Sequence, residues 1–309
     1  MKKHTKLKIS LCILTIVIIS ILCFVGNYFY NICLNPTIAD DSPTIVSADV
    51  DSNAKWLLDE SNYSDEYITS FDDLKLHAYK ILNPTPTNKW VISVHGYLSE
   101  AFNMRSYAKV FDEMGYNILL PDLKSHGLSE GDYVGMGWND RLDILAWIDT
   151  IITENPDAEI ILHGVSMGAA TVTSVSGEKL PSNIKAIIAD CGYTTAWDEF
   201  SHQLDSQYSL PEFPVLHAAN LVCKLRAGYW FTDASPIEQV VNSETPILFI
   251  HGDNDDYVPY TMMEELFNTA TCDKEMITIE NADHANSNVT NPEKYWTSVY
   301  AFINKHISQ

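Results

Sequence analysis

The stretch with the clearest chemical meaning is Gly164-Val165-Ser166-Met167-Gly168, which follows the apolar Ile160-Ile161-Leu162 and precedes Ala169-Ala170. A strand, a tight turn and a helix in that order lift the central serine above a sheet, and only glycine fits at the flanking positions of such a turn. The helix that follows directs backbone N–H groups and its positive end toward developing negative charge. Ser166 is therefore the candidate nucleophile for acyl transfer. A serine hydroxyl is weak without a base, and the chain offers ten histidines. His95, His163 and His251 each precede a glycine at the end of an apolar strand, where packing or orienting roles suit them better. His284 stands in a loop, Asn281-Ala282-Asp283-His284-Ala285-Asn286, after the apolar Met276–Ile279. Asp253, Asp255 and Asp256 all follow one strand, and residue type alone does not choose among them. They do not form a calcium loop, because Tyr257 and Val258 break the required alternation of oxygen ligands. There is no CxxC pair, no phosphate-cradling glycine motif and no Walker sequence, so neither a structural zinc nor a nucleotide is expected. The chemistry expected needs no metal and no cofactor.

These residues require a scaffold, and the hydropathy pattern supplies one. Tyr67–Phe71 and Leu74–Ile81 flank Asp72-Asp73 as an antiparallel hairpin. Apolar strands then follow at Trp90–Val94, Ile118–Leu120, Ile160–Leu162, Ala186–Ala189, Ile247–Ile250 and Met276–Ile279. Helical periodicity separates them near Ser106–Met114, Asp140–Thr153, Met167–Ser176, Thr261–Ala270 and Pro292–Ile307. Continuously apolar strands alternating with helices predict an α/β fold, a mostly parallel sheet with helices on both faces. His95-Gly96, Pro121-Asp122, His163-Gly164 and His251-Gly252 mark carboxyl ends of strands, the edge along which open parallel sheets bind ligands. The alternation is interrupted between residues 193 and 233 by Trp197, Phe200, Tyr208, Phe213, Tyr229, Trp230 and Phe231, an aromatic-rich helical lid insertion over that edge. Trp138–Trp147 holds Arg141 and Asp143, expected to make local salt links within one helix.

The N-terminus obeys other rules. Lys2, Lys3, Lys6 and Lys8 precede an uncharged apolar run of 22 residues, Ile9–Tyr30, about 33 Å as a helix. That length crosses a hydrocarbon layer of about 30 Å and exceeds the apolar core of a cleaved signal peptide. Residues 1–34 are thus expected to be an uncleaved transmembrane anchor and residues 35–54 a proline-containing stalk. Residues 55–309 are expected to be a catalytic domain that folds without the anchor. The lysines place the N-terminus in the cytoplasm and the domain outside. All 41 acidic residues lie beyond residue 39 together with 15 of the 19 basic ones, so the net charge of −22 becomes −26 there. Such a surface argues against nucleic-acid binding and against electrostatic adhesion to anionic lipid. Cys191, Cys223 and Cys272 are an odd set in the domain and read as buried thiols.

Val94-His95-Gly96-Tyr97, the run Pro121-Asp122-Leu123-Lys124-Ser125-His126-Gly127-Leu128-Ser129-Glu130-Gly131, the Ser166 turn and His251-Gly252-Asp253-Asn254-Asp255-Asp256-Tyr257-Val258-Pro259 together resemble the alpha/beta-hydrolase superfamily over about residues 65–307. The resemblance is to bacterial membrane-anchored serine hydrolases of the serine aminopeptidase-like and esterase-like branch. Its chain order of serine, acid and histidine implies His284 as the base, and its His-Gly-x-x-Asp-x-x-Val-Pro pattern implies Asp255 as the acid. It also implies an oxyanion hole made by the backbone N–H groups of Met167 and Tyr97, with the Tyr97 ring alternatively a wall of the pocket. Relatives more often carry Arg-Gly where Lys124-Ser125 stand, which questions a substrate-facing role for that loop.

Three function classes follow. A carboxylic-ester or thioester hydrolase leads, since a Ser-His-Asp triad with an oxyanion hole performs acyl transfer unaided. A peptidase or amidase of the serine aminopeptidase type uses the same groups and is second, because fold and triad do not select the leaving group. A tethered binding protein without catalysis is third. The expected partners are a small ester, thioester or amide substrate and the membrane around the N-terminal helix.

Overall fold

The structure is a computed structural model that describes residues 2–36 and 52–307. Most of the expected stalk, residues 37–51, lies outside the described residues. The chain opens with helix α1 (Lys2–Leu34), and a short helix α2 (Ser52–Lys55) continues into a single π turn to Glu60. Strands β1 (Ser64–Thr69), β2 (Lys75–Ile81) and β3 (Lys89–Val94) lead to α3 (Arg105–Glu113), β4 (Asn117–Pro121) and α4 (Asp140–Glu154). Then come β5 (Glu159–Val165), α5 (Met167–Ser176) and β6 (Ile184–Asp190). The segment over the sheet edge holds α6 (Ala196–Tyr208) and α7 (Glu212–Arg226), followed by α8 (Pro236–Val240). The chain closes with β7 (Ile247–Gly252), α9 (Tyr260–Thr269), β8 (Lys274–Ile279), α10 (Ser287–Thr290) and α11 (Pro292–His306).

The eight strands form one sheet in the order β1-β2-β4-β3-β5-β6-β7-β8. β1, β2 and β4 pair antiparallel, and every pair from β4 through β3 to β8 is parallel. Side chains alternate between faces, as the pleat demands. Ile160, Leu162, Ile187, Ala189, Ile247 and Phe249 pack on one face with α4, α5 and the lid helices. Their neighbours Ile161, Ala186, Ile188, Leu248 and Ile250 pack on the other with α3 and α11. Trp56 and Leu57 join this second face, so the core begins at the very start of the expected domain.

α1 does not stop where the domain starts. Its apolar body is exposed from Leu7 to Phe24, with a mean hydropathy that reaches 2.9, which makes it a candidate membrane span. Its last turns are core: Tyr30 is 2% and Leu34 0% exposed, within the same cluster as the inner side of α7.

Two charged side chains find partners far along the chain. Lys124, the departure noted above, is fully buried and pairs with Asp72 in the β1–β2 turn at 2.7 Å, with Asp143 at 4.0 Å. Its ammonium also lies 4.5 Å from the Phe71 ring centre. Arg141 reaches Glu178 beyond α5 at 2.8 Å and stacks on Trp138. The salt links of α4 are therefore not local, because both partners project toward neighbouring elements.

Candidate active site

Ser166 sits between β5 and α5 with φ 57° and ψ −119°, a backbone conformation that a serine adopts only under constraint. A β-carbon on Gly164 would lie 2.2 Å from the Gly168 carbonyl oxygen, and one on Gly168 would lie 2.1 Å from that of Val94. Both distances are impossible, so the glycine spacing follows from the turn itself. The Ser166 N–H donates to the Asp190 carbonyl at 2.8 Å, which fastens the turn to the end of β6.

His284 lies in the loop between β8 and α10. Its Nε2 is 2.8 Å from Ser166 Oγ, and its Nδ1 is 2.7 Å from Asp255 Oδ2. Since ionised Asp255 only accepts, Nδ1 carries the proton and Nε2 presents its lone pair to the serine hydroxyl. Asp255, after β7, receives further hydrogen bonds from the backbone N–H groups of Tyr257 and Val258 on Oδ1. His251 Nε2 stands 3.0 Å from Oδ2. Burial pushes the Asp255 carboxyl up, yet the hydrogen bonds from His251 and His284 outweigh it and hold the group far below the usual carboxylate range. Of the three neighbouring acids, Asp255 alone meets the histidine. Asp253 accepts the Asn281 N–H instead, and the Asp256 carbonyl accepts from His202.

The other strand-end histidines serve the frame. His95 bridges the Gly96 carbonyl and the Leu123 N–H, and His163 bridges Ser93 and Tyr295. Burial pushes His163 down to about 3, so it stays neutral. Met167 is the first residue of α5, where helix geometry leaves its N–H without an intrahelical acceptor. Tyr97 follows Gly96, whose α-carbon faces Ser166 so closely that a β-carbon would be 3.3 Å from the serine β-carbon. The two backbone amides named as oxyanion donors thus belong to chain segments that meet at Ser166.

Among the described residues, one group has the spacing of a metal site, Cys191 with Asp255 and His284. Its histidine and carboxylate are bonded to each other, and burial pushes the Cys191 thiol well above its ordinary value. A neutral thiol beside a hydrogen-bonded pair fits proton transfer and not metal ligation.

A cavity of about 360 Å³ adjoins Ser166. Its walls are mainly apolar and aromatic: Phe200 and Leu204 from α6, Leu216 from α7, Tyr97, and Phe29 and Ile32 from α1. The aromatic lid residues divide. Phe200 and Tyr208 face the cavity, whereas Trp197 packs on His217 and Phe231 behind Phe200. Glu199 also reaches the cavity and holds Gln203 at 2.9 Å. Burial pushes Glu199 up to about 8, so it is mostly neutral at pH 7. Hydropathy analysis assigns α1 wholly to the membrane and misses its cavity residues. The available signal was Gly26, Asn27 and Asn31, small and polar positions inside an otherwise apolar run.

Residues 102–309 match the prolyl oligopeptidase family. The chain is also 30% identical over 221 residues to the uncharacterized protein YqkD of Bacillus subtilis, covering 71% of this chain and 72% of that one. Among solved structures, the Pyrococcus furiosus esterase Pf2001 superposes with a TM-score of 0.67 at 24% identity, over 82% of this chain and 94% of the esterase. The Pyrococcus horikoshii acylaminoacyl peptidase gives 0.59 at 15% identity, over 80% of this chain and 42% of the peptidase. The chain belongs to the prolyl oligopeptidase family, with the alpha/beta-hydrolase fold, and is a serine hydrolase by family. The family match begins after Tyr97 and leaves out α1.

Proposed function

We propose that this member of the prolyl oligopeptidase family hydrolyses carboxylic esters, thioesters included, through an acyl-enzyme on Ser166, with His284 as base and acid and Asp255 as its orienting carboxylate. The observation that carries the reading is the unbroken chain Asp255–His284–Ser166 at 2.7 and 2.8 Å beside an apolar cavity. In the first half-reaction Ser166 Oγ bonds to the acyl carbon while its proton passes to His284 Nε2. Asp255 stabilises the imidazolium, and the Met167 and Tyr97 N–H groups receive the oxyanion. The carbon–oxygen or carbon–sulfur bond then breaks, and the Nε2 proton leaves with the alcohol or thiol. Water repeats the sequence: it gives its proton to His284, adds to the acyl carbon, and Ser166 Oγ departs with that proton as the free acid forms.

The mainly apolar and aromatic walls support an ester with an aliphatic or aromatic acyl part, since a peptide group left unpaired there would cost about 1–3 kcal/mol for each buried polar atom. Amide cleavage is the second reading, favoured by the match to the prolyl oligopeptidase family. The domain is read as tethered by α1, with the lysines inside and the catalytic face outside. A fluorophosphonate probe, followed by parallel panels of acyl esters and aminoacyl amides, tests the function. Stoichiometric labelling that disappears in Ser166→Ala, with turnover of esters well above amides, is expected. Labelling that persists in Ser166→Ala refutes the assignment, and faster amide turnover selects the second reading.

A further inference from the structure

A tether needs only to hold a domain near a membrane, and a flexible link does that. α1 is attached much more closely. Tyr97 Oη donates toward the carbonyls of Ile32 and Cys33 at 3.2 and 2.9 Å, and the Val134 N–H donates to the Leu34 carbonyl at 2.8 Å. These bonds occupy carbonyls that the end of any helix leaves without intrahelical partners. Arg226 on α7 bridges Asn27 and Asn31 and covers the Tyr30 ring. Gly26 meets α7 so closely that a β-carbon there would be 2.6 Å from the Ala218 carbonyl oxygen. Phe29, Ile32 and Cys33 then line the cavity beside Ser166, and Phe29 stacks edge-on against Tyr208 of α6. A leader destined for removal would take a wall of the cavity with it.

The helix also fixes where that cavity stands. Thirty-three residues make about 50 Å of helix, some 20 Å more than a hydrocarbon layer. About twenty residues counted from Lys8 end near Tyr28, so the cavity wall begins where the helix leaves the bilayer. α7 runs beside α1 in the same direction, since Ala218 meets Gly26 and Arg226 meets Asn31. The start of α7 is therefore its membrane-proximal end. There Phe213 is 72% exposed, with Leu210 and Tyr208 exposed nearby. Apolar side chains at this height lie within the ~5–10 Å that interfacial segments insert. With −26 on the residues beyond 39, this contact is apolar and not electrostatic.

We infer that the end of α1 is a permanent wall of the acyl pocket, and that the pocket takes its substrate from the bilayer as an ester whose acyl chain belongs to a membrane lipid. The inference rests on the serine-hydrolase reading and adds the source and class of the substrate. About 360 Å³ accommodates roughly a dozen groups of water or methylene size, one chain and not a whole lipid. The rest of the lipid stays in the bilayer, and neutral Glu199 leaves the cavity without a fixed charge to oppose an aliphatic chain.

The test uses the full chain in phosphatidylcholine vesicles carrying a fluorogenic decanoyl lipid ester, with soluble p-nitrophenyl acetate as reference. Ile32→Trp, which fills the pocket from the α1 side, should lower the decanoyl-to-acetyl rate ratio at least tenfold. Phe213→Asp, outside the cavity, should lower lipid-ester hydrolysis at least fivefold and leave acetate hydrolysis within twofold. An unchanged ratio in Ile32→Trp, or unchanged lipid hydrolysis in Phe213→Asp, overturns the inference, as does a mature protein lacking α1. Should Ile32→Trp fail to label with fluorophosphonate, Phe213→Asp decides alone. Absence of labelling in the unmodified chain instead defeats the serine-hydrolase reading.

Discussion

Replacing Asp255 by asparagine tests the proposed relay at its most demanding point. The carboxylate accepts from His284 Nδ1 and from the N–H groups of Tyr257 and Val258, and His251 Nε2, which donates to the Val258 carbonyl at 2.9 Å, stands 3.0 Å from it. Asparagine can keep its carbonyl oxygen toward the two backbone amides, but its NH₂ then faces two histidine nitrogens. To pair with it, His284 must present the Nδ1 lone pair, which moves the ring proton to Nε2. Nε2–H then points at Ser166 Oγ, and the base can no longer take the serine proton. The loss of the right tautomer and of imidazolium stabilisation together amounts to ~10³–10⁴ in kcat, or about 4–5.5 kcal/mol at 1.36 kcal/mol per decade. KM should move by less than threefold, because Asp255 does not line the cavity. Stopped-flow acylation with a chromogenic ester, alongside chemical denaturation to verify folding, separates the two effects. A folded Asp255→Asn protein with acylation within tenfold of the parent would refute the reasoning. A steep loss in Asp256→Asn instead would transfer the role.

Further outcomes follow from the same geometry. Gly168→Ala places a methyl group against the Val94 carbonyl, so the denaturation midpoint should fall by an amount equivalent to about 3 kcal/mol or more. A shift below 1 kcal/mol would show that the turn relaxes. Burial raises Asp140 and Asp190 to about 6, and Asp143 and Glu199 to about 8. For acids with raised folded pKa values, stability is full below the unfolded values near 4 and is lost as pH climbs to about 8. The buried neutral histidines His95, His126 and His163 add stability only up to their unfolded values of about 6.5, so Tm should decline between about pH 6.5 and pH 9, and a flat or rising profile there contradicts the burial of these acids. Long-chain ester hydrolysis should weaken above pH 8 as Glu199 ionises inside the cavity, and Glu199→Gln should remove that limb from the chain-length-dependent pH profile.

The sheet and its helices were legible because their signals are local: β5 and α5 differ in period within a few residues, and the turn between them tolerates only glycine at two positions. Asp255 was legible through its spacing from His251 and Pro259, although residue type alone does not separate it from Asp253 or Asp256. The end of α1 was not legible. Ile32 faces a cavity and Ile18 does not, yet hydropathy scores them alike, since burial in protein and in lipid are chemically similar for an aliphatic side chain. Lys124 with Asp72 escaped notice because 52 residues separate partners that meet only once β2 and β4 pair.

The contacts that seat α1 bear on the order in which the molecule is made. Asn27 and Arg226 lie 199 residues apart, and Leu34 meets Val134 across 100. A chain synthesised from its N-terminus exposes the helix first and cannot complete these contacts until most of the remaining residues have emerged and folded. Closure over such separations is entropically costly and slow relative to local helix formation. Ser166 therefore acquires its finished enclosure only after α7 has emerged and folded, long after the helix that completes it.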